Sequence, residues 1–242
     1  MKKPSVILQF KISLKYSNPL IWRTIQLDAD CTFIDLHDAI QAAFAWEDYH
    51  LWEFVVPKEQ GGSISLMPND NLDFTLEPVQ KIEEESEDVP EQHESYQQCL
   101  EGLLLHSELN DAQKQEFENI LQNLKHRIPE DGDIDTPVRD LIDVGDSFFY
   151  TYDMGDNWEH EILCEAVLIK PPRVRMPRCI DGAMNHAFED VGGVWGYTEI
   201  VEMLKDPKNP EYQERIEWLI DCYGRKILKY DAYAFDVKKI KF

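Results

Sequence analysis

The chain has 242 residues, 43% hydrophobic and 11% aromatic, with 47 acidic side chains against 24 basic ones and a formal charge of −23. That length and apolar content can bury a substantial core as one domain, or as one domain carrying an insertion. Such a charge repels nucleic-acid backbones and anionic membranes and draws in basic proteins or ligands, which sets a recombinase or other DNA-handling role aside.

The cysteines, Cys31, Cys99, Cys164, Cys179 and Cys222, are odd in number and scattered, with no Cys-x-x-Cys. This predicts reduced thiols in a cytoplasmic protein, not a zinc ribbon or a redox motif. The opening Met1-Lys2-Lys3-Pro4 is followed by alternating apolar residues, so it does not read as a signal peptide. No apolar run approaches the ~20 residues that span a bilayer.

In chain order, Val6, Leu8, Phe10, Ile12 and Leu14 alternate with mostly polar residues and predict a half-buried strand. Tyr16-Ser17-Asn18-Pro19 turns the chain, and 21–27 returns as a second strand. Thr32 and Asp35 make a capping box, after which Leu36, Ile40 and Phe44 share a helical stripe. His37 on that helix reads as surface or partly buried. Residues 51–56 form a third strand. Hairpin, helix and strand resemble the opening of a β-grasp fold, an analogy that carries no function.

Short strands are predicted at 64–66 and 72–76. Glu83-Glu84-Glu85-Ser86-Glu87-Asp88 is a solvated charge run. Leucine and isoleucine spacing then predicts a helical hairpin over 91–106 and 111–127, which packs over a sheet edge or serves as a lid or partner-docking surface. Towards the end, 179–195 reads as an irregular loop. Residues 197–205 form a short helix. A last helix opens at Asn209-Pro210, with Tyr212, Ile216, Leu219 and Tyr223 as its stripe and Gly224 at its end. The tail is a candidate edge strand.

The centre of the chain is Phe148-Phe149-Tyr150-Thr151-Tyr152-Asp153-Met154-Gly155-Asp156-Asn157-Trp158-Glu159-His160-Glu161-Ile162. It predicts two strands, 148–153 and 158–169, joined by the turn-forming residues 154–157. A four-residue turn sets Asp153 opposite Trp158. One face then carries Phe149, Thr151, Asp153, Trp158, His160 and Ile162, with Asp153 and His160 as diagonal neighbours.

The stretch Tyr152 to His160 resembles the signature of the plasmid pRiA4b ORF-3-like family. Leu36-His37-Asp38-Ala39-Ile40 with Trp46 to Phe54 is similar to that family's amino-terminal helix and following strand. Glu189-Asp190-Val191-Gly192-Gly193-Val194-Trp195-Gly196-Tyr197 is similar to its acidic, glycine-rich segment, and Phe235-Asp236 loosely to its end. The resemblance covers all but roughly 80–135 and implies one domain over 1–242 with an acidic, helical insertion at about 80–135. Some members are labelled insertion-element passengers with a resolvase-like name; the family implies no assigned chemistry. This chain departs from the family at Asn185-His186-Ala187-Phe188 and Val191, which argues against a cysteine-based metal site at Cys179.

Three acid-and-imidazole clusters carry the candidate chemistry. They are Asp153, Asp156, Glu159 and His160; Asp48 with His50; and His186, Glu189 and Asp190. The family resemblance implies one cleft bordered by His50, Asp153, Asp156, Trp158, His160, Glu189 and Asp190. Such side chains can hold a divalent metal or move protons, although no motif identifies a cofactor. The plainer account is that the Asp and Asn residues shape turns and His160 is a hydrogen-bonded core histidine. Gly192-Gly193 and Gly196 lack a phosphate-loop context, and nearby acids would repel phosphate. The expected fold is α+β with an antiparallel or mixed sheet. The expected function is a binding module with an aromatic and acidic cleft for a protein, peptide or small molecule; the alternative is a metal-assisted hydrolase or other enzyme using an Asp/His/Glu cluster.

Overall fold

The alternation in β1 (Val6–Leu14) buries Val6, Leu8, Phe10, Ile12 and Leu14 on one face, and β1 is an interior strand of the sheet. In this computed structural model, which describes residues 6–58, 61–68, 98–99, 101–103, 111, 114–115, 132–208, 210 and 212–242, β1 is hydrogen-bonded on both sides. Its neighbours are β2 (Trp22–Asp28) and β6 (Trp158–Ile169). The sheet is completed by β3 (Trp52–Pro57), β4 (Ser63–Leu66), β5 (Ser147–Tyr152) and β7 (Arg178–Ala183). The seven strands run in the order β4-β3-β5-β6-β1-β2-β7, every pair antiparallel. With helices on it, the class is α+β.

The β-grasp-like arrangement is not confirmed. The central hairpin β5–β6 stands between β1 and β3, and alternation along a strand says which face is buried, not which strand lies beside it. The reading of 179–195 as irregular is also corrected: β7 pairs with β2 as an edge strand, with a register shift between Thr24 and Ile25. The tail adds no strand. It forms 3-10 turns at Arg225–Lys229 and Val237–Lys239. The strand expected at 72–76, the charge run at 83–88 and nearly all of the helical hairpin lie outside the described residues. Cys99 and Leu103 are described, and both pack against the core.

Helix α1 (Phe33–Phe44) covers the inner face of the sheet. Thr32 accepts from the Asp35 N–H and Asp35 accepts from the Thr32 N–H, so the expected capping box is present. Phe33 meets Phe54 and Phe148 edge-on, at ring distances of 5.2 and 6.1 Å. The strand registers align Phe54, Tyr150, His160 and Leu14 in one row across the sheet, with Trp52, Tyr152 and Trp158 in the next. All seven of these side chains are buried. Helices α2 (Gly193–Lys205) and α3 (Tyr212–Tyr223) follow, burying Ile200, Met203, Ile216 and Leu219.

The hairpin exists where it was expected, but its register is off by one. Tyr152, not Asp153, opposes Trp158, so the loop spans 153–157. Asp153 and Asn157 take the left-handed backbone, at φ 59° and 55°. The Asn157 N–H closes the loop onto the Asp153 carbonyl, and Asp153 Oδ1 accepts from the Gly155 N–H at 2.8 Å. Asp and Asn tolerate this region because their short polar side chains bond locally. The extra loop residue turns Phe148, Tyr150 and Tyr152 inward beside Trp158, His160 and Ile162, and ejects Asp153 from the strand.

Candidate functional site

His160 is fully buried, and its Nδ1 faces the Tyr150 carbonyl at 3.3 Å. Phe44 and Trp46 pack edge-on against its ring. Burial pushes this imidazole down to about 3, against hydrogen bonding to the backbone around it, so it is a neutral core group. Trp158 is likewise fully buried. Thus the expected Asp153–His160 contact is not made, and Trp158 and His160 lie under the surface rather than along a cleft.

The carboxylate that leaves the strand finds a different histidine. His50 Nε2 stands 3.1 Å from Asp190 Oδ1 and 3.5 Å from Asp153 Oδ2. The three ligand atoms lie within 4.8 Å of one another. They come from separate places: the loop before β3, the β5–β6 turn and the segment before α2. Asp153 and Asp190 both have left-handed backbone, at φ 59° and 53°. Each is also held by its other oxygen, Asp153 by the Gly155 N–H and Asp190 by the Tyr49 hydroxyl at 2.7 Å. His50 is about a quarter exposed and Asp190 more than half, so the corner opens to solvent.

Glu189 stands behind this corner, nearly buried. Its carboxylate accepts from the Tyr152 hydroxyl at 2.7 Å and from the Glu47 N–H at 3.0 Å. Burial pushes its pKa up, while those two donors pull it down. The Tyr223 hydroxyl donates to its backbone carbonyl. Glu189 therefore fastens the segment carrying Asp190 to the sheet. His186, grouped with it on sequence, packs instead against Phe188 and Tyr230, and burial lowers it to about 4.

Asp156 has a separate task. Its carboxylate accepts from the Val191 N–H at 3.0 Å and the Gly192 N–H at 3.1 Å. This clasp ties the segment just ahead of α2 to the hairpin turn; α2 begins at Gly193, earlier than expected, behind a Gly192 N-cap that has no side chain to offer. Those N–H groups face a carboxylate, so they form no phosphate loop.

A second trio, His37, Asp38 and Asp48, was not anticipated. His37 is buried, stacked on Trp52 at 4.1 Å, with Nε2 on Asp48 Oδ1 and Nδ1 on the Tyr150 hydroxyl, both at 2.8 Å. Gln41 Nε2 donates to the same hydroxyl at 2.9 Å. That donor order assigns Tyr150 O–H to donate to Nδ1 and Nε2–H to donate to Asp48, a neutral ring with both nitrogens satisfied. Burial lowers its pKa, against the pull of Asp48. Asp48, expected beside His50, belongs here. The spacing of Phe33, His37, Gln41 and Phe44 on one helical stripe is the sequence signal for His37 burial. Nothing comparable in the sequence links Tyr49 to Asp190.

Among the described residues, no helix is long and apolar enough to cross a membrane. The chain is 26% identical over 214 residues to the uncharacterized protein y4hQ of Sinorhizobium fredii (strain NBRC 101917 / NGR234), covering 88% of this chain and 80% of that one. It is similar, at a TM-score of 0.65 and 27% identity, to the crystal structure of the protein of unknown function MM3350 from Methanosarcina mazei Go1, covering 98% of this chain and 99% of that one. The family model for plasmid pRiA4b ORF-3-like protein matches residues 6–239, nearly the whole length. With its signature residues located in the hairpin, the His50 corner and the α2 clasp, the chain belongs to the plasmid pRiA4b ORF-3-like family.

Proposed function

We propose that His50, Asp153 and Asp190 hold one divalent transition-metal ion, and that the protein uses it for metal-assisted hydrolysis. The observation that carries this is the convergence of one imidazole nitrogen and two carboxylates, 3.1 and 3.5 Å from the nitrogen, from three separate segments. Ligands bonded at about 2.0–2.2 Å to one ion stand roughly 3–3.5 Å apart, the spacing of both carboxylates from the nitrogen, and all three atoms lie within 4.8 Å of one another. The second trio is a weaker candidate, since His37 and Asp38 are chain neighbours and both His37 nitrogens are already engaged.

One nitrogen with two carboxylates favours zinc, manganese or iron over calcium, which prefers an all-oxygen shell. Three protein ligands leave positions for water and a substrate oxygen, and a bound ion can lower the pKa of that water to about 7. Tyr49 and the Gly155 N–H orient the two carboxylates, the supporting role that metal ligands require.

The test is metal analysis of untagged protein, with calorimetric titration of zinc and manganese. One ion per chain, lost in both His50→Ala and Asp153→Asn, supports the site. Loss of p-nitrophenyl phosphate hydrolysis on chelation and in the same variants supports the activity. Absence of micromolar metal affinity in the wild type, or its survival in both variants, overturns the reading. A second reading, a module that recruits a basic partner, is favoured by a different observation, the exposed aromatic cleft beside Trp195.

A further inference from the structure

Trp195 is 71% exposed, although a tryptophan offers one of the largest apolar surfaces available for burial. Its exposure is built in. It lies in the first turn of α2, where Val194 and Tyr197 face inward. On one side the Asp156 clasp holds Val191 and Gly192. On the other, Gly196 sits so close to the Val191 carbonyl that a Cβ there would stand 1.7 Å from it. The ring therefore projects from a fixed support rather than a loose loop.

Opposite it, Tyr16 projects from the β1–β2 turn at φ 63°, a backbone that bulky residues rarely adopt, and is 54% exposed. Between them is a cleft of about 250 Å³, lined by Tyr16, Asp156, Asn157, Glu159, Val194 and Trp195. Pockets that engulf a drug-sized ligand measure roughly 300–1,000 Å³, so this one suits a single side chain.

The charge of the cleft selects that side chain. Asp156 and Glu159 line it, on a chain of formal charge −23. Asp156 accepts from backbone N–H groups, with no cationic side chain on it among the described residues. Glu159 is met by Lys15 at 3.2 Å, and the Lys15 ammonium lies 5.1 Å from the centre of the Tyr16 ring. The rim of the cleft thus already holds one cation between an aromatic face and a carboxylate. Among cations, a planar guanidinium stacks best on indole and phenol faces.

We propose that the cleft between Tyr16 and Trp195 docks an arginine side chain from a basic segment of a partner protein. This rests on the reading of the chain as a recruitment module and is independent of the metal corner. The segment enters with its arginine stacked on Trp195 and its charge answering Asp156, while flanking basic residues follow the acidic surface.

The experiment uses the full chain, a tryptophan-free peptide of alternating arginine and glycine, and calorimetry at low and physiological salt. Matched peptides with citrulline or lysine replace the arginines. Trp195→Ala and Tyr16→Ala, both at exposed positions, are each expected to weaken binding at least tenfold with unchanged circular dichroism. The citrulline peptide should not bind, and the lysine peptide should bind more weakly. His50→Ala and Asp153→Asn should leave peptide affinity unchanged, whether or not they lose metal. Binding that survives both aromatic variants overturns the cleft but leaves recruitment elsewhere on the acidic surface. Absence of saturable binding overturns both.

Discussion

A Cβ placed on Gly193 would stand 2.2 Å from the carbonyl oxygen of Asp156. The hairpin turn and the start of α2 meet backbone to backbone, and the Asp156 carboxylate reaches past that contact to hold two N–H groups. Gly193→Ala adds a steric overlap to a left-handed φ of 67°. We expect it to cost about 2–4 kcal/mol, combining overpacking with the left-handed penalty. Asp156→Ala loses charge-assisted bonds to those N–H groups and should cost roughly 1.5–3 kcal/mol. Chemical denaturation of both variants checks this; unchanged midpoints would show that the clasp does not stabilise the fold.

Metal should stabilise the wild type and not the corner variants. At a free metal concentration 100 times its Kd, binding adds about 2.7 kcal/mol. Thermal melts with and without zinc should show this as a rise in Tm that disappears in His50→Ala and Asp153→Asn. His160→Phe, altered in the core and away from the corner, should keep the rise. A rise lost in His160→Phe but retained in His50→Ala would move the site to the core histidine.

Acid should unfold the protein partly through its buried imidazoles. Folding lowers the His160 pKa from 6.5 to about 3, so between those values the unfolded chain binds a proton that the folded chain does not. Stability from this group is complete above pH 6.5 and falls as pH drops towards 3. The slope is up to ~1.4 kcal/mol per pH unit for one proton. His186, lowered to about 4, acts in the same direction. In urea denaturation between pH 7.5 and 4.5, His160→Phe should show a shallower loss than the wild type. Parallel curves would mean that His160 does not resist protonation.

Tyr150 joins His37 and Gln41 under α1. Tyr150→Phe leaves His37 Nδ1 and the Gln41 amide without that partner in the core, and should cost roughly 2–3 kcal/mol. Gln41 Oε1 is already buried without a partner among the described residues, so Gln41→Leu should cost less than Tyr150→Phe. A double-mutant cycle on the pair measures their coupling. Equal costs with no coupling would show that the bond contributes nothing.

Duplex DNA should not bind measurably at physiological salt. The 24 basic residues are outnumbered by 47 acidic ones, and Arg178, at the start of β7, is tied to Gln26 through its Nε and Nη2. Fluorescence anisotropy with a labelled duplex decides this; submicromolar, salt-dependent binding would overturn it.

Local rules alone determined the first strand, the Thr32 capping box and the hairpin near 148–169, because each depends on residues near one another in the chain; the family came from a resemblance spread over several stretches. They also singled out His50, Asp153 and Asp190. What they did not determine was which carboxylate meets which imidazole. One additional loop residue, held by Asp153 and Asn157 in left-handed backbone, reversed the faces of β5 and moved Asp153 off the sheet. A period-two pattern makes every facing side chain depend on that single residue. The partners of Asp153 then came from loops about 37 and 103 residues away in sequence, Asp190 and His50, which only the packing of the whole sheet brings together. Likewise, the helix start at Gly193 has no side-chain cap; the segment before it is held by Asp156, because only the folded chain carries that carboxylate to the Val191 and Gly192 N–H groups.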